Sequence, residues 1–151
     1  MSRRRRARAI VLQVLYQDDL NPTQPTEIKT QFVNVRLNED PKLIAFANEL
    51  IQGVTQYREQ IDEKLASIAA NWRLGRMAAT DRNVLRLGAY EILFGETPDR
   101  VAINEAIELA RRYGTDQSSQ FVNGVLDRLM KQKNDGDTES KPAAGSDTPA
   151  S

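Results

Sequence analysis

Apolar residues recur at three- and four-residue spacing through most of this chain, and no segment alternates apolar and polar residues long enough to predict a strand. The densest apolar segment runs from Val84 to Phe94, where apolar residues cover nearly the whole circumference of a helix. A helix with so little polar surface belongs in the middle of a bundle. The pattern therefore predicts an all-α fold, in which Gly88 marks a close approach between this central helix and a neighbour.

Six further helices are predicted around the central one. The first carries a core-facing stripe from Ala7 to Leu15, with Leu12 and Tyr16 on its flank, where they either complete the core or contact a protein partner. Capping residues and apolar stripes place the others, with Asp40 and Thr80 as N-caps and Gly75, Gly95 and Gly114 as stops. Their expected ranges are 27–36, a helix beginning at Asp40-Pro41, a stripe from Ile61 to Trp72, about Arg100 to Tyr113, and Asp116 or Ser118 to Met130.

The length of 151 residues suits one domain or two small subdomains that share a core. After Lys133 the composition changes to Asn, Asp, Gly, Thr, Ser, Pro and Ala, with too little apolar content to offset the loss of chain entropy on folding. We therefore expect a helical domain over 1–133 and a disordered tail over 134–151. The alternating acids of this tail lack the downstream pattern of a calcium loop, so no metal site is expected there.

Composition argues against an enzyme. The chain has no Cys and no His, which removes cysteine nucleophiles, thiolate zinc sites and the commonest general base. Neither a Gly-rich phosphate loop nor a dinucleotide fingerprint is present, and the carboxylate pair Glu105 and Glu108 is interpreted as a solvated helix face. We expect no cofactor and no metal. Without a membrane-spanning run or cysteines, a cytoplasmic protein is expected, and an organelle transit peptide is the alternative interpretation of the basic start.

Five arginines lie among the first eight residues and run directly into the first helix: Arg3, Arg4, Arg5, Arg6 and Arg8. Cations are unfavourable at a helix N-terminus, which carries about half a positive charge. A polyanionic partner would offset this cost, and arginine both pairs with phosphate oxygens and stacks on bases. Single-stranded RNA fits better than duplex DNA, because its unstacked bases are accessible. A solubilising terminus without a defined partner is the alternative.

A second candidate surface is the polar turn 115–120, which is flanked by Tyr113 and Phe121. The two rings are candidate stacking platforms, and the hydroxyl and amide groups of Gln117 and Ser118 are candidates for reading base edges. Alone, such a turn is more often a capped connection between two helices.

The motifs at these places resemble the NusB family of transcription antitermination factors. The matching segments are 4–8 (RRRAR) with 12–16 (LQVLY), 101–110 (VAINEAIELA) and 121–127 (FVNGVLD), and the resemblance covers about 3–130. It implies two packed helical bundles, of three N-terminal and four C-terminal helices. It also implies an adaptor that binds the boxA element of nascent ribosomal RNA together with NusE, a small-subunit ribosomal protein, and helps RNA polymerase read through ribosomal RNA operons.

The resemblance also implies residue roles. The arginine motif would contact RNA, the residues Tyr113, Gln117, Ser118, Phe121 and Asn123 would form the other wall of the RNA path, and Leu12, Tyr16 and Asp81 would face NusE. The chain departs from the family pattern at Ala9, where Glu is frequent, and at Gln120, where Lys is common, and the loss of that Lys removes one phosphate contact from the RNA path. A homodimer stays open. The alternatives are a homo-oligomeric interaction protein with a non-specific basic terminus, and a module like those fused to RNA methyltransferases, which the lack of a downstream cofactor-binding domain disfavours.

Overall fold

The structure, a computed structural model, describes residues 2–69 and 76–140. Within these two ranges the chain forms seven α-helices and no strand: α1 Arg3–Leu20, α2 Thr26–Arg36, α3 Pro41–Gln56, α4 Arg58–Ile68, α5 Ala79–Leu93, α6 Asp99–Tyr113 and α7 Ser118–Ser140. The all-α prediction is confirmed. None of the described helices combines the length and the apolarity needed to cross a bilayer.

The helices pack as two bundles, α1 to α3 and α4 to α7, with α5 in contact with both. Every residue of α5 from Asn83 to Ile92 is buried, as its nearly continuous apolar surface predicts. Gly88 lies where α5 meets α6 and α7, and a Cβ atom there would lie 2.6 Å from Cδ1 of Leu126 and 3.3 Å from Cβ of Ala106. The expected close helix approach at Gly88 is therefore present.

The start of one helix differs from the sequence-based expectation. Asp40 caps α3 as expected, but Thr80 does not cap α5, which begins one residue earlier, so that Thr80 is its second residue and Ala78 occupies the cap without a side-chain hydrogen bond. The stripe of α4 is buried at Ile61, Leu65 and Ile68. Its predicted continuation to Trp72 and the stop at Gly75 lie outside the described residues.

The last helix continues past the predicted boundary. The composition changes after Lys133, whereas α7 is helical to Ser140, so the helix overlaps the first seven residues of the segment that the sequence predicts to be disordered; the boundary at 133 stays a prediction. Once a helix has formed, each added residue gains a hydrogen bond at little further cost, and a polar extension therefore does not need a core contact. The remaining tail, 141–151, lies outside the described residues.

Candidate nucleic-acid interface

The N-terminus of α1 concentrates positive charge. Ser2 caps the helix by accepting a hydrogen bond from the backbone N–H of Arg5 at 3.1 Å, so the side chains of Arg3, Arg4, Arg5 and Arg6 radiate from the first turn. We call these four residues the arginine surface. The positive end of the helix dipole adds to their charge. The protein itself supplies part of the offset, because carboxylates from three other parts of the chain reach this helix.

Arg8 lies inside the protein. Its Nε and Nη2 atoms donate to Oε2 and Oε1 of Glu91 at 2.9 and 2.7 Å, and Thr97 donates its hydroxyl to the same carboxylate at 2.7 Å. Arg8 is only 4% exposed and Glu91 only 2%. Position 8 follows Ala7 on the core face of α1, which explains the burial. The sequence-based role of Arg8 as a direct RNA contact therefore disagrees with its place in the structure, which makes it a residue that anchors α1 on α5.

Arg5 is held at the edge of the arginine surface. Its Nε and Nη2 atoms each donate to one oxygen of Glu105 at 3.0 Å, and both side chains are partly buried. The hydrogen bond from Arg5 is the main reason that the pKa of Glu105 is lowered, and burial opposes it. The interpretation of Glu105 and Glu108 as a solvated face is therefore wrong for Glu105, which belongs to this surface. Glu108 pairs with Arg111 on the exposed side of α6.

The other three arginines are exposed and differ in what holds them. Arg3 pairs with the Asp40 carboxylate, Arg6 donates to the backbone carbonyl of Arg36 at 3.1 Å, and the guanidinium of Arg4 lies 4.3 Å from the centroid of the Phe46 ring. Within the described part of the chain, Arg4 and Arg6 have no carboxylate partner. They are therefore the two cations of this surface that can bind a phosphate without displacing a carboxylate of the described residues.

Sequence reasoning did not single out Phe46. Its position in α3 fits the apolar spacing of a core residue, but its ring is only partly buried and lies against both Arg4 and Arg8, the latter at 5.0 Å. A cation over an aromatic face is stabilised by the ring's negative surface. Phe46 thus positions Arg4, and no local sequence pattern marks this role, because the two residues belong to different helices.

The turn between α6 and α7 presents a second polar surface. Tyr113 is 47% exposed, Gln117 and Asn123 are exposed, and Phe121 is partly buried. Ser118 is only 1% exposed, and its Oγ accepts a hydrogen bond from the N–H of Thr115 at 2.9 Å. For Ser118 the simpler interpretation, a capped connection between helices, therefore describes the structure, and its predicted contact with RNA does not fit this burial. Tyr113 lies eight residues after Glu105 on α6, or about 12 Å along the helix.

The residues expected to face a protein partner lie on α1 and at the start of α5. Tyr16 is 37% exposed, whereas Leu12 is 5% exposed and belongs to the core, so Leu12 offers almost no surface to a partner. Asp81 lies in the first turn of α5 and is partly exposed, and its Oδ1 atom is buried without a hydrogen-bond partner.

An ion-pair network joins these two helix ends. Asp19 of α1 accepts hydrogen bonds from Arg58, Arg82 and Asn83 at 2.8 to 3.2 Å. Burial alone would raise the pKa of Asp19, but the hydrogen bonds from Arg82 and Asn83 and the charge of Arg86 outweigh it and lower this pKa. Asp19 therefore stays ionised and fixes the end of α1 on α5 beside Asp81.

Comparison with known proteins identifies the family. The family model described as "NusB family" matches residues 5–131. A transcription antitermination protein NusB of Anaeromyxobacter dehalogenans is 44% identical over 128 residues, which is 85% of this chain and 90% of the relative. Another from Desulfitobacterium hafniense is 42% identical over 149 residues, 96% of each chain. The chain belongs to the NusB family.

Solved structures agree with this assignment. NusB of T. maritima superposes with a TM-score of 0.76 at 39% identity and covers 85% of this chain and 91% of its own. A chain from a crystal structure of antitermination factors NusB and NusE in complex with double-stranded RNA superposes with a TM-score of 0.77 at 26% identity, over 87% and 98%. The expected fold of three plus four helices is thus a NusB fold, and the chain is a transcription antitermination protein rather than an enzyme.

Proposed function

We propose that this chain is an RNA-binding adaptor that captures a boxA-type element of nascent ribosomal RNA together with NusE and promotes read-through of ribosomal RNA operons by RNA polymerase. The observation that carries the proposal is the arginine surface. Two of its guanidinium groups, Arg4 and Arg6, are exposed and have no carboxylate partner in the described residues. Guanidinium groups bind phosphate oxygens in pairs, and a helix N-terminus favours an anion.

The placement of charge and of an exposed aromatic ring supports RNA binding at one particular surface. The net formal charge is zero, so the whole molecule does not attract nucleic acid, and the attraction must come from this local surface. From Arg5 and Glu105, α6 leads to the exposed Tyr113, where a base can stack. Gln117, Phe121 and Asn123 complete this second wall, whereas Arg8 and Ser118 support the two walls from inside.

The same argument gives NusE a separate surface. Tyr16 offers an exposed ring, and the partly exposed Asp81 offers a carboxylate, on two helix ends that the Asp19 network joins. An aromatic anchor beside a charged group is typical of protein interfaces. Because this surface lies on the C-terminal half of α1 and the arginine surface on its first turn, RNA and NusE can bind at the same time.

The test is a titration of a single-stranded boxA-like RNA, a scrambled control and a double-stranded form, each with and without NusE. We expect tighter binding of the boxA-like single strand, and a further gain with NusE. A plot of the logarithm of the binding constant against the logarithm of the salt concentration reports how many phosphates are neutralised. Its slope should be about 1.4 in magnitude if only Arg4 and Arg6 neutralise phosphates, and should rise towards about 2.8 if Arg3 and Arg5 do so too. Equal binding of all three RNAs would reduce the proposal to non-specific attraction.

The variant Arg4→Ala with Arg6→Ala should lose affinity and flatten the salt slope while helicity is kept. The matched control is Lys64→Ala, which removes an exposed cation from α4 in the other bundle. If both variants bind RNA equally well, the arginine surface is not the binding site. Measuring the molecular mass over a dilution series tests the alternative function. An oligomer that dissociates on dilution and retains no RNA would favour a homo-oligomeric interaction protein.

A further inference from the structure

Two cations of the arginine surface already have anionic partners of the protein's own. Arg3 pairs with Asp40 at the start of α3, and Arg5 pairs with Glu105 on α6. Both pairs join α1 to another helix, 37 and 100 residues away along the chain. A phosphate that binds Arg3 or Arg5 must therefore take the place of a carboxylate, or share the guanidinium with it.

Asp40 is held in position independently of Arg3. Its Oδ1 atom accepts hydrogen bonds from the backbone N–H groups of Lys42 and Leu43, at 3.1 and 3.3 Å, which leaves Oδ2 to face Arg3. The two preceding residues, Asn38 and Glu39, have left-handed φ values of 54° and 57° and turn the chain tightly between α2 and α3. The carboxylate is thus a fixed feature of the helix start and stays beside the arginine surface after Arg3 leaves it.

Glu105 is fixed in a different way. Both of its oxygens accept from the fork of Arg5, at 3.0 Å each, and its side chain is only 15% exposed, against 32% for Arg5. A paired geometry of this kind is among the stronger ion pairs that proteins form. Arg5 is therefore less available to RNA than Arg3, whose side chain is 72% exposed.

We propose that Asp40 and Glu105 compete with RNA phosphates for Arg3 and Arg5 and so set an upper limit on RNA affinity. This inference rests on the proposed function and identifies which residues restrain it. When RNA displaces a carboxylate, one ion pair is exchanged for another, and the released carboxylate lies close to the incoming polyanion. The protein gains a stable helix start in the absence of RNA, at the cost of weaker capture.

Asp40→Asn tests the first competitor. Asparagine caps helices as well as aspartate does, so the start of α3 is kept while the charge is removed. Exposed ion pairs are worth at most about a factor of five in an equilibrium constant, so we expect affinity for the single-stranded boxA-like RNA to rise about two- to fivefold. The salt slope should increase by about 0.7, because one more guanidinium then neutralises a phosphate without exchange.

Two controls separate competition from a general change of charge. Glu39→Gln removes an exposed carboxylate from the neighbouring position, where no ion pair is formed among the described residues, and it should raise affinity by much less. In an Arg3→Ala background, Asp40→Asn should have no more effect than Glu39→Gln, because the contested cation is gone. A gain that is equal for Asp40→Asn and Glu39→Gln, or one that persists without Arg3, would overturn the proposal for Asp40.

Glu105→Gln tests the second competitor in the same way, compared with Glu105→Gln in an Arg5→Ala background, and circular dichroism checks that α6 is intact. We expect a gain in RNA affinity that depends on Arg5. An unchanged affinity in a folded variant would overturn the proposal for Glu105. Failure of the unmodified chain to bind RNA would instead overturn the proposed function itself, which is a different result from a flat response to the two carboxylate variants.

Discussion

Replacing Glu91 with glutamine should cost much more stability than neutralising a carboxylate in a surface ion pair such as Glu108. Arg8 is 4% exposed, and its guanidinium donates two hydrogen bonds to the Glu91 carboxylate. Glutamine has nearly the same shape but presents one NH2 group, which cannot accept a hydrogen bond from Arg8 or Thr97. The variant therefore leaves a buried positive charge without the carboxylate to which it is hydrogen-bonded.

Removing one partner of a buried ion pair costs about 3–5 kcal/mol. Here the ring of Phe46, 5.0 Å from the Arg8 guanidinium, and the remaining amide oxygen give partial compensation, which places the expected loss near 3 kcal/mol. For a chain of this size each kcal/mol corresponds to about 2–4 °C, so the midpoint of thermal unfolding should fall by about 6–12 °C. A loss of about 3 kcal/mol is a large fraction of the 5–15 kcal/mol that typically stabilises a domain.

Urea unfolding followed by helical circular dichroism measures this loss as a lower midpoint with an unchanged slope. The control is Glu108→Gln, whose ion pair with Arg111 is exposed and three residues apart on one helix, and whose loss should cost less than about 0.5 kcal/mol. If both variants lose the same small amount, the Arg8 guanidinium is solvated and the reasoning is refuted.

A double variant, Arg8→Met with Glu91→Leu, addresses function directly. Replacing a whole buried ion pair with apolar side chains of similar volume is often neutral or stabilising, so this variant should fold. If Arg8 only anchors α1, RNA affinity should be largely kept. A folded double variant that no longer binds RNA would restore Arg8 as a direct contact, as the sequence motif suggests.

Three further predictions concern packing, pH and the partner surface. Gly53→Ala should lower the free energy of unfolding by roughly 1–2 kcal/mol, because its Cβ would overlap the ring of Tyr90. Gly124→Ala meets no atom within 4 Å and should raise the free energy of unfolding by about 0.5–1 kcal/mol. Shifts of the two melting temperatures in the same direction would contradict this contrast. Because the pKa of Asp19 is lowered in the folded protein, its ionised form adds stability above about pH 4, and this stability is lost as pH falls through the folded-state pKa. Asp19→Asn should therefore flatten the acid side of a plot of stability against pH. An unchanged curve would count against the ion-pair network. Tyr16→Ala should weaken NusE binding measured by calorimetry without changing the melting temperature by more than about 2 °C, since Tyr16 lies outside the buried core and is 37% exposed. Undiminished NusE binding would place that partner on another face.

The helices could be predicted from the sequence because apolar spacing reports directly on burial. The segment that became α5 is the best example, since its apolar residues surround the helix and all of its residues from Asn83 to Ile92 are buried. Helix ends were less predictable. Thr80 would cap α5 only if the helix began at Asp81, whereas it begins two residues earlier, at Ala79.

The candidate site could be predicted in position but not in detail. Sequence alone treats the five N-terminal arginines alike, whereas the structure divides them into a buried residue, two that pair with carboxylates at the surface, and two without such a partner. The carboxylates that make this division are separated from their arginines by 37, 83 and 100 residues. No local pattern encodes contacts at such separations, so only the fold shows them.

Leu12 shows the same limit on a smaller scale. A flank position one turn before an exposed tyrosine is ambiguous in a sequence, because the width of the apolar face depends on how many helices pack against it. In this fold α1 contacts α2, α3 and α5, so its buried face is wide and includes Leu12. Tyr16 lies beyond the edge of that face and stays exposed.

The positive charge at the start of α1 can therefore be compensated in two ways, by carboxylates of the protein itself and by a bound anion. The carboxylates of Asp40, Glu91 and Glu105 neutralise three of the guanidinium groups, so that α1 can form in the protein without bound RNA. Two guanidinium charges and the positive helix end remain, so an anion is still favoured at this place. Because the net charge is zero and salt screens beyond about 8–10 Å, this remaining charge acts only at short range. Capture of RNA should then depend on close contacts more than on long-range steering, and the carboxylates beside those contacts become the means by which the chain sets its affinity.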